Sequence, residues 1–217
     1  MVERLVVIGL GLIGGSLAKG LRESGLCREV VGVDLDPESR RLAVELGVVD
    51  RCEAELALAC VGASVIVLAV PILAMEKLLR ELAKLDLGDA VLTDVGSAKG
   101  NVVRAARLAF DGLPARFVPG HPIAGSEQSG VEASNAELFR RHKVILTPLE
   151  QTDAGALPLV DTLWRALGAD VEHMAVEHHD EVLAATSHLP HLLAFGLVDS
   201  LAKRSENLEI FRYAAGG

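Results

Sequence analysis

The stretch Val6–Leu21, "VVIGLGLIGGSLAKGL", decides the fold. An apolar run closes at Ile8, and Gly9, Gly11 and Gly14 then stand in the spacing G-x-G-x-x-G as a helical pattern opens. Glycine-rich turns are common in α/β proteins, so the spacing by itself is a weak signal. Its setting is specific: a strand run precedes it, a helix follows, and Asp34 lies 20 residues after Gly14 at the end of the next strand run. Gly9 permits the tight turn, Gly11 lets backbone approach a pyrophosphate, and Gly14 lets the helix pack close to the strand. The helix N-terminus offers N–H donors and a partial positive charge to an anion. Leu12 and Ile13 in the same loop, and Val70 closing the third strand run, complete the expected cofactor contacts. An Asp34 carboxylate would accept hydrogen bonds from ribose hydroxyls and repel a 2′-phosphate, which favours NAD, while Arg40 and Arg41 keep NADP open. The plainer alternative is a glycine turn in a sheet that binds nothing.

Outward from that stretch, short apolar runs alternate with helical patterns. "RLVVIGL", "EVVGVDL", "SVIVLAV", "AVLTDV", "ARFVPG" and "KVILTP" read as strands, and Glu76–Leu85 and Asn101–Phe110 as amphipathic helices. The alternation predicts right-handed crossovers and a Rossmann-type α/β fold: a doubly wound, mostly parallel sheet with helices on both faces. Asp36 followed by Pro37 reads as the cap and first turn of the helix after the second strand. After Pro148 the character shifts. "TDAGALPLVDTLWRALGADVEHM" predicts one more helix and an edge strand ending near Met174, and from Ala175 the pattern is helical throughout. Pro190 interrupts that last helix, so a kink or break is expected there. The expected organisation is a dinucleotide-binding domain over 1–174 and the first part of a helical substrate and dimerisation domain over 175–217.

Composition narrows the function. Half the residues are hydrophobic, but one Trp, one Tyr and five Phe leave the core to Leu, Val, Ala and Ile. A net charge of −9 argues against nucleic acid, which needs a basic face to displace counterions. Cys27, Cys52 and Cys60 have no paired or metal-like spacing and read as free thiols of a reducing, cytoplasmic environment. "MVERLVVIG" goes straight into a strand pattern and does not read as a signal peptide. Leu56–Met75 is uncharged and as long as a membrane span, yet Gly62, Ser64 and Pro71 punctuate it and its middle is β-branched. A helix end, a buried strand and a second helix account for it better.

Two polar clusters fall at strand ends, where open α/β sheets bind ligands. "TDVGSAKG", Thr93–Gly100, closes one strand run, and "GHPIAGSEQSG", Gly120–Gly130, follows the next. Ser97 alone suits a helix N-cap, and His121 alone a loop histidine bonded to backbone. Together they sit beside the nicotinamide side of a dinucleotide fold, where a neutral histidine can accept a hydroxyl proton and Ser97 can orient it. A second histidine group marks the last helix: His178 and His179 open it, and His188 and His191 share a face. These four with Asp180 and Glu181 make zinc an alternative, but no metalloenzyme ligand spacing is present. One of His178 and His179 is expected to be a solvated helix residue.

Taken together, "GLGLIGGSLA", "TDVGSAKG", "GHPIAGSEQSG", "KVILTP", "HHDEVLAATSHLPH" and "LAFGLVD" resemble the prephenate and arogenate dehydrogenases, the TyrA family of tyrosine biosynthesis. The resemblance runs from the first strand to Gly217, in order and with compatible spacings. It implies NAD-linked oxidative decarboxylation of a cyclohexadienyl acid, with no metal. By resemblance, His121 bonds the ring hydroxyl and takes its proton, and Ser97 shares that hydrogen-bond network. Ser126 and Glu127 match a polar loop near the substrate entrance, and His191 matches a histidine that reaches the substrate from the helical domain. The family continues beyond the Gly216–Gly217 position with a Gly-Phe-Arg-Asp-like segment whose arginine grips a substrate carboxylate, and with helices that form a homodimer. The expectation is therefore a chain that binds NAD and turns over poorly. The competing assignments are a β-hydroxyacid dehydrogenase, which needs a helical-domain lysine where only Lys203 follows Lys143, and a catalytically silent nicotinamide-nucleotide sensor.

Overall fold

The structure, a computed structural model, describes residues 1–203. The closing "YAAGG" lies outside them. Two compact units are present, Met1–Glu177 and the chain from His178 onward. In the first, strands and helices alternate as the sequence implies: β1 (Val2–Ile8), α1 (Leu12–Glu23), β2 (Cys27–Val33), α2 (Pro37–Glu45), β3 (Arg51–Glu53), α3 (Leu56–Cys60), β4 (Val65–Leu68), α4 (Ile72–Leu82), β5 (Val91–Asp94), α5 (Lys99–Ala109) and β6 (Phe117–Val118). These strands form one sheet in the order β3-β2-β1-β4-β5-β6, parallel at every pairing. Both faces are covered. Leu5 and Val7 pack into one core cluster, and Val6 and Ile8 into the other. That is why the strands read as unbroken apolar runs rather than alternating ones.

A smaller sheet follows, built from β7 (Gly120–Pro122), β8 (Lys143–Leu146) and β9 (Asp170–His173), with α6 (Ala156–Ala166) between the last two. β7 runs antiparallel to β8, and β9 parallel to it. The "KVILTP" run therefore belongs to this second sheet rather than extending the parallel one, and β9 is its expected edge strand. β3 went unrecognised in the sequence because "RCE" carries no apolar periodicity and is held only by pairing with β2.

The expected cap holds: the Asp36 carboxylate accepts from the Glu38 and Ser39 N–H groups, with Pro37 in the first turn. Leu56–Met75 divides into α3, β4 and the start of α4, as its breakers imply. α7 (Val176–Leu183) begins in the last two residues of the first unit and leads into a π-helical turn, Ala184–His188, and then α8 (Leu189–Ala202). Pro190 sits in the first turn of α8, so the expected disruption takes the form of a π turn just before it. Proline has no N–H and its ring would crowd the carbonyl four residues back, and widening the preceding turn relieves both. Among the described residues one helical run, Val176–Ala202, is long and apolar enough to cross a membrane by length and composition. Leu192, Leu193, Phe195, Leu197 and Val198 on it are exposed.

Candidate functional site

Because the six strands are parallel, their carboxyl ends share one edge of the sheet. The strand order reverses between β1 and β4, and ligands of such sheets bind in the crevice at that point. The loop Gly9–Gly11 leaves β1 there, Leu12 and Ile13 open α1 rather than lying in the loop, and Val70 follows β4 on the other side. Gly9 has φ +97, and a Cβ on it would lie 2.4 Å from the Ala69 carbonyl oxygen, so only glycine fits. A Cβ on Gly14 would meet the Gly9 oxygen at 2.0 Å, which is the close helix–strand packing expected of it. Gly11 differs: a Cβ there would meet nothing within 4 Å. It is the N-cap of α1, and no side chain caps that helix. Open space above an uncapped twelve-residue helix suits a phosphate group.

Asp34 directly follows β2 on the same edge. Its carboxylate accepts from the Leu10 N–H at 2.8 Å and the Asp36 N–H at 3.0 Å, which ties the acid to the glycine loop and leaves lone pairs for ribose hydroxyls. Arg40 donates to the Asp34 and Leu35 carbonyls at 2.6 and 3.1 Å and so stays beside the acid. Arg41 is taken up by Glu38 and Glu45 on the surface of α2.

The third cluster corrects the sequence reading. His121 is not in a loop: it is the middle residue of β7, paired with Ile145 of β8 and only 9% exposed. The strand has three residues and ends in proline, so no sequence periodicity marks it. The flanking bonds Thr147 N–H to Pro119 O and Ile123 N–H to Lys143 O place His121 in hydrogen-bonded register, so the backbone groups of Gly120 and Pro122 face away from β8. The missing N–H of Pro122 therefore falls where β8 makes no demand on it. Ser97 is not the helix cap: Ala98 occupies the N-cap of α5, and Ser97 is an exposed residue of the loop between β5 and α5. The end of β5 reaches β7 through Asp94, whose Oδ1 accepts from the Gly120 N–H at 3.2 Å.

Asp94 and Lys99 lie in the same Thr93–Gly100 stretch. Both are fully buried and ion-paired, and Lys99 Nζ also donates to the Gly120 carbonyl at 2.6 Å. The available signal was a Lys and an Asp in a stretch that must lie at the buried junction of strand and helix.

The remaining candidates are more dispersed. Ser126 and Glu127 are exposed in the loop after β7, with Ser126 Oγ accepting from the Gln128 N–H at 3.2 Å. His178 is exposed, as expected of one of that pair, while His179 is buried with Nδ1 2.8 Å from Asp180 Oδ1. His191 is exposed on α8. Burial raises the thiols of Cys27, Cys52 and Cys60 to about 11, and all three are free.

Dinucleotide-dependent dehydrogenases of the Rossmann class are built on this plan, with a glycine loop at the switch point and reactive groups on neighbouring strand ends. Comparison with known proteins narrows the class: the chain belongs to the prephenate dehydrogenase family. Residues 17–173 match the family's "Prephenate dehydrogenase, nucleotide-binding domain" and residues 175–217 its "dimerization domain". A cyclohexadienyl dehydrogenase of Zymomonas mobilis is 38% identical over 99% of this chain and 73% of its own length. A prephenate dehydrogenase of Bacillus subtilis is 36% identical over the whole chain, which spans 59% of that relative. The structure of prephenate dehydrogenase from Aquifex aeolicus in complex with hydroxyphenyl propionate and NAD+ superposes with a TM-score of 0.90 at 39% identity, over 99% of this chain and 75% of that one. Family membership sets aside the β-hydroxyacid dehydrogenase alternative. Lys203, on which that alternative depended, is exposed and paired with Asp199.

Proposed function

We propose that the chain acts as an NAD-dependent prephenate or arogenate dehydrogenase of cytoplasmic tyrosine biosynthesis. The observation that carries this is His121, a buried imidazole on β7 bonded through Gly120 to the end of β5, on the sheet edge that also bears the glycine loop. NAD, when bound, supplies the hydride acceptor. Gly9, Gly11, Leu12, Ile13 and Gly14 hold its pyrophosphate, Asp34 its adenosine ribose, and Val70 lines the crevice. His121 accepts the ring hydroxyl proton as the carbinol becomes a ketone conjugated with the ring, with Ser97 sharing that hydrogen bond. The ketone is then an electron sink for the departing carboxylate. Loss of CO2 aromatises the ring, and His121 returns its proton to the phenolate oxygen. An imidazole, which can both accept and donate a proton, suits both transfers. Ser126, Glu127 and His191 contribute to substrate binding, and the second unit takes part in a homodimer through its exposed apolar helix.

The test is to mix the purified chain with NAD and prephenate, then with arogenate, and to follow NADH formation. Turnover with either establishes the reaction and names the substrate. Full turnover by the His121→Asn variant would overturn the assignment of the base.

A further inference from the structure

Gly120, the residue before His121, presents both its backbone polar groups away from β8, toward the end of β5. An ordinary sheet would meet them with another strand. Here one buried side-chain pair meets them instead: Asp94 Oδ1 accepts from the Gly120 N–H at 3.2 Å, and Lys99 Nζ donates to the Gly120 carbonyl at 2.6 Å. Asp94 Oδ2 also accepts from the Gly96 N–H at 2.8 Å, which fixes the carboxylate against its own loop, and Lys99 closes the pair by bonding Asp94. Both side chains have no exposed surface, so neither can reach solvent or a bound substrate. A side chain at 120 would be tightly placed: a Cβ there would sit 3.0 Å from the Asp94 carbonyl oxygen and 3.1 Å from Leu146 Cδ2, so these neighbours would have to give way. Asp94 ends a strand of the parallel sheet and Gly120 begins a strand of the smaller one, so the clamp is the joint between them.

We infer that Lys99 and Asp94 are positioning residues for His121, setting its height and orientation over the cofactor crevice by gripping the peptide groups on either side of Gly120. A buried ion pair is a costly way to gain stability, since desolvation offsets most of its attraction. What it supplies is direction: a cationic donor and an anionic acceptor accept only one placement of the peptide between them. The catalytic part of this inference rests on the role of His121 given above; the structural part does not.

Amide hydrogen exchange and kinetics on the same protein separate the two. In the unmodified chain the Gly120 amide is expected to exchange as slowly as that of Val67 in β4; exchange at the rate of a loop amide would overturn the clamp. In Lys99→Met, the His121 and Ile123 amides are expected to exchange at least tenfold faster while Val67 is unchanged. Dehydrogenase kcat is expected to fall at least tenfold, with KM for NAD within twofold. Because Lys99→Met leaves a buried unpaired carboxylate, Asp94→Asn/Lys99→Met is the second variant; its one amide oxygen can still accept from the Gly120 N–H, while the acceptor for the Gly96 N–H and the donor to the Gly120 carbonyl are removed. It is expected to fold and to show the same kcat loss. Unchanged β7 exchange, unchanged kcat, or a fall in kcat that merely tracks the folded fraction would each overturn the positioning role. If the unmodified chain turns over neither acid, the proposed reaction fails, and the exchange data still decide whether the clamp holds β7.

Discussion

The glycine loop contains two kinds of glycine, and alanine substitution should tell them apart. At Gly11 the added methyl meets nothing within 4 Å, and φ is −69, which any residue adopts. The stability cost is the loss of a good N-cap residue for a poor one, roughly 0.5–1 kcal/mol. That same open space is where the pyrophosphate backbone contact would be made, so the methyl displaces the ligand rather than the protein. NAD affinity should fall at least tenfold, about 1.4 kcal/mol. At Gly9 the order reverses. The methyl would lie 2.4 Å from the Ala69 carbonyl oxygen at a φ of +97, so strain and overpacking act together. Left-handed backbone costs about 1–2 kcal/mol and forced packing about 1–3 kcal/mol, for a loss of roughly 2–5 kcal/mol of folding stability. Urea unfolding gives the stability, and isothermal titration with NAD the affinity. If Gly11→Ala bound NAD within twofold of the parent, or if it destabilised the fold as much as Gly9→Ala, the placement of the phosphate at this loop would be wrong.

Other outcomes are equally specific. His121→Asn should cut turnover by about a hundredfold or more, the usual weight of a general base, with NAD binding unchanged by calorimetry. Asp34→Ala should weaken NAD and improve NADP relative to it, since it removes the carboxylate while Arg40 stays beside β2; titration of both nucleotides reads this directly. Glu29 lies between Arg51 and Arg4, whose guanidinium groups hold its carboxyl below the ordinary 4.5. A lowered carboxylate stabilises the fold above its unfolded pKa, and that contribution is lost as pH falls through the folded value. The decline in urea midpoint between about pH 5 and pH 3 should therefore be shallower in Glu29→Gln. Burial holds the three cysteine thiols at about 11, so a thiol-labelling reagent at pH 8 should react slowly with the folded chain and rapidly once urea unfolds it.

How much was legible follows from the range of the forces involved. The parallel sheet was readable because each buried strand must be apolar on both faces, a local property of runs such as "RLVVIGL". The glycine loop was readable because its constraints act over a few residues: a positive φ at Gly9 and a helix that starts at Leu12. β3 and β7 were not, because three-residue strands carry no periodicity and exist only by pairing with distant segments. Ser97 suited a cap by residue type, and backbone geometry placed the cap one residue later.

The amino-acid sequence by itself therefore determined the class of sheet, the glycine loop with the acid Asp34 beside it, and the residue types that stand at the strand ends. Only the tertiary structure decided that His121 is a buried strand residue, since its register comes from Ile145, and that Asp94 and Lys99 grip the peptide groups of Gly120. Periodicity and turn chemistry are written in neighbouring residues. A clamp between positions 21 and 26 residues apart comes into being when two sheets meet.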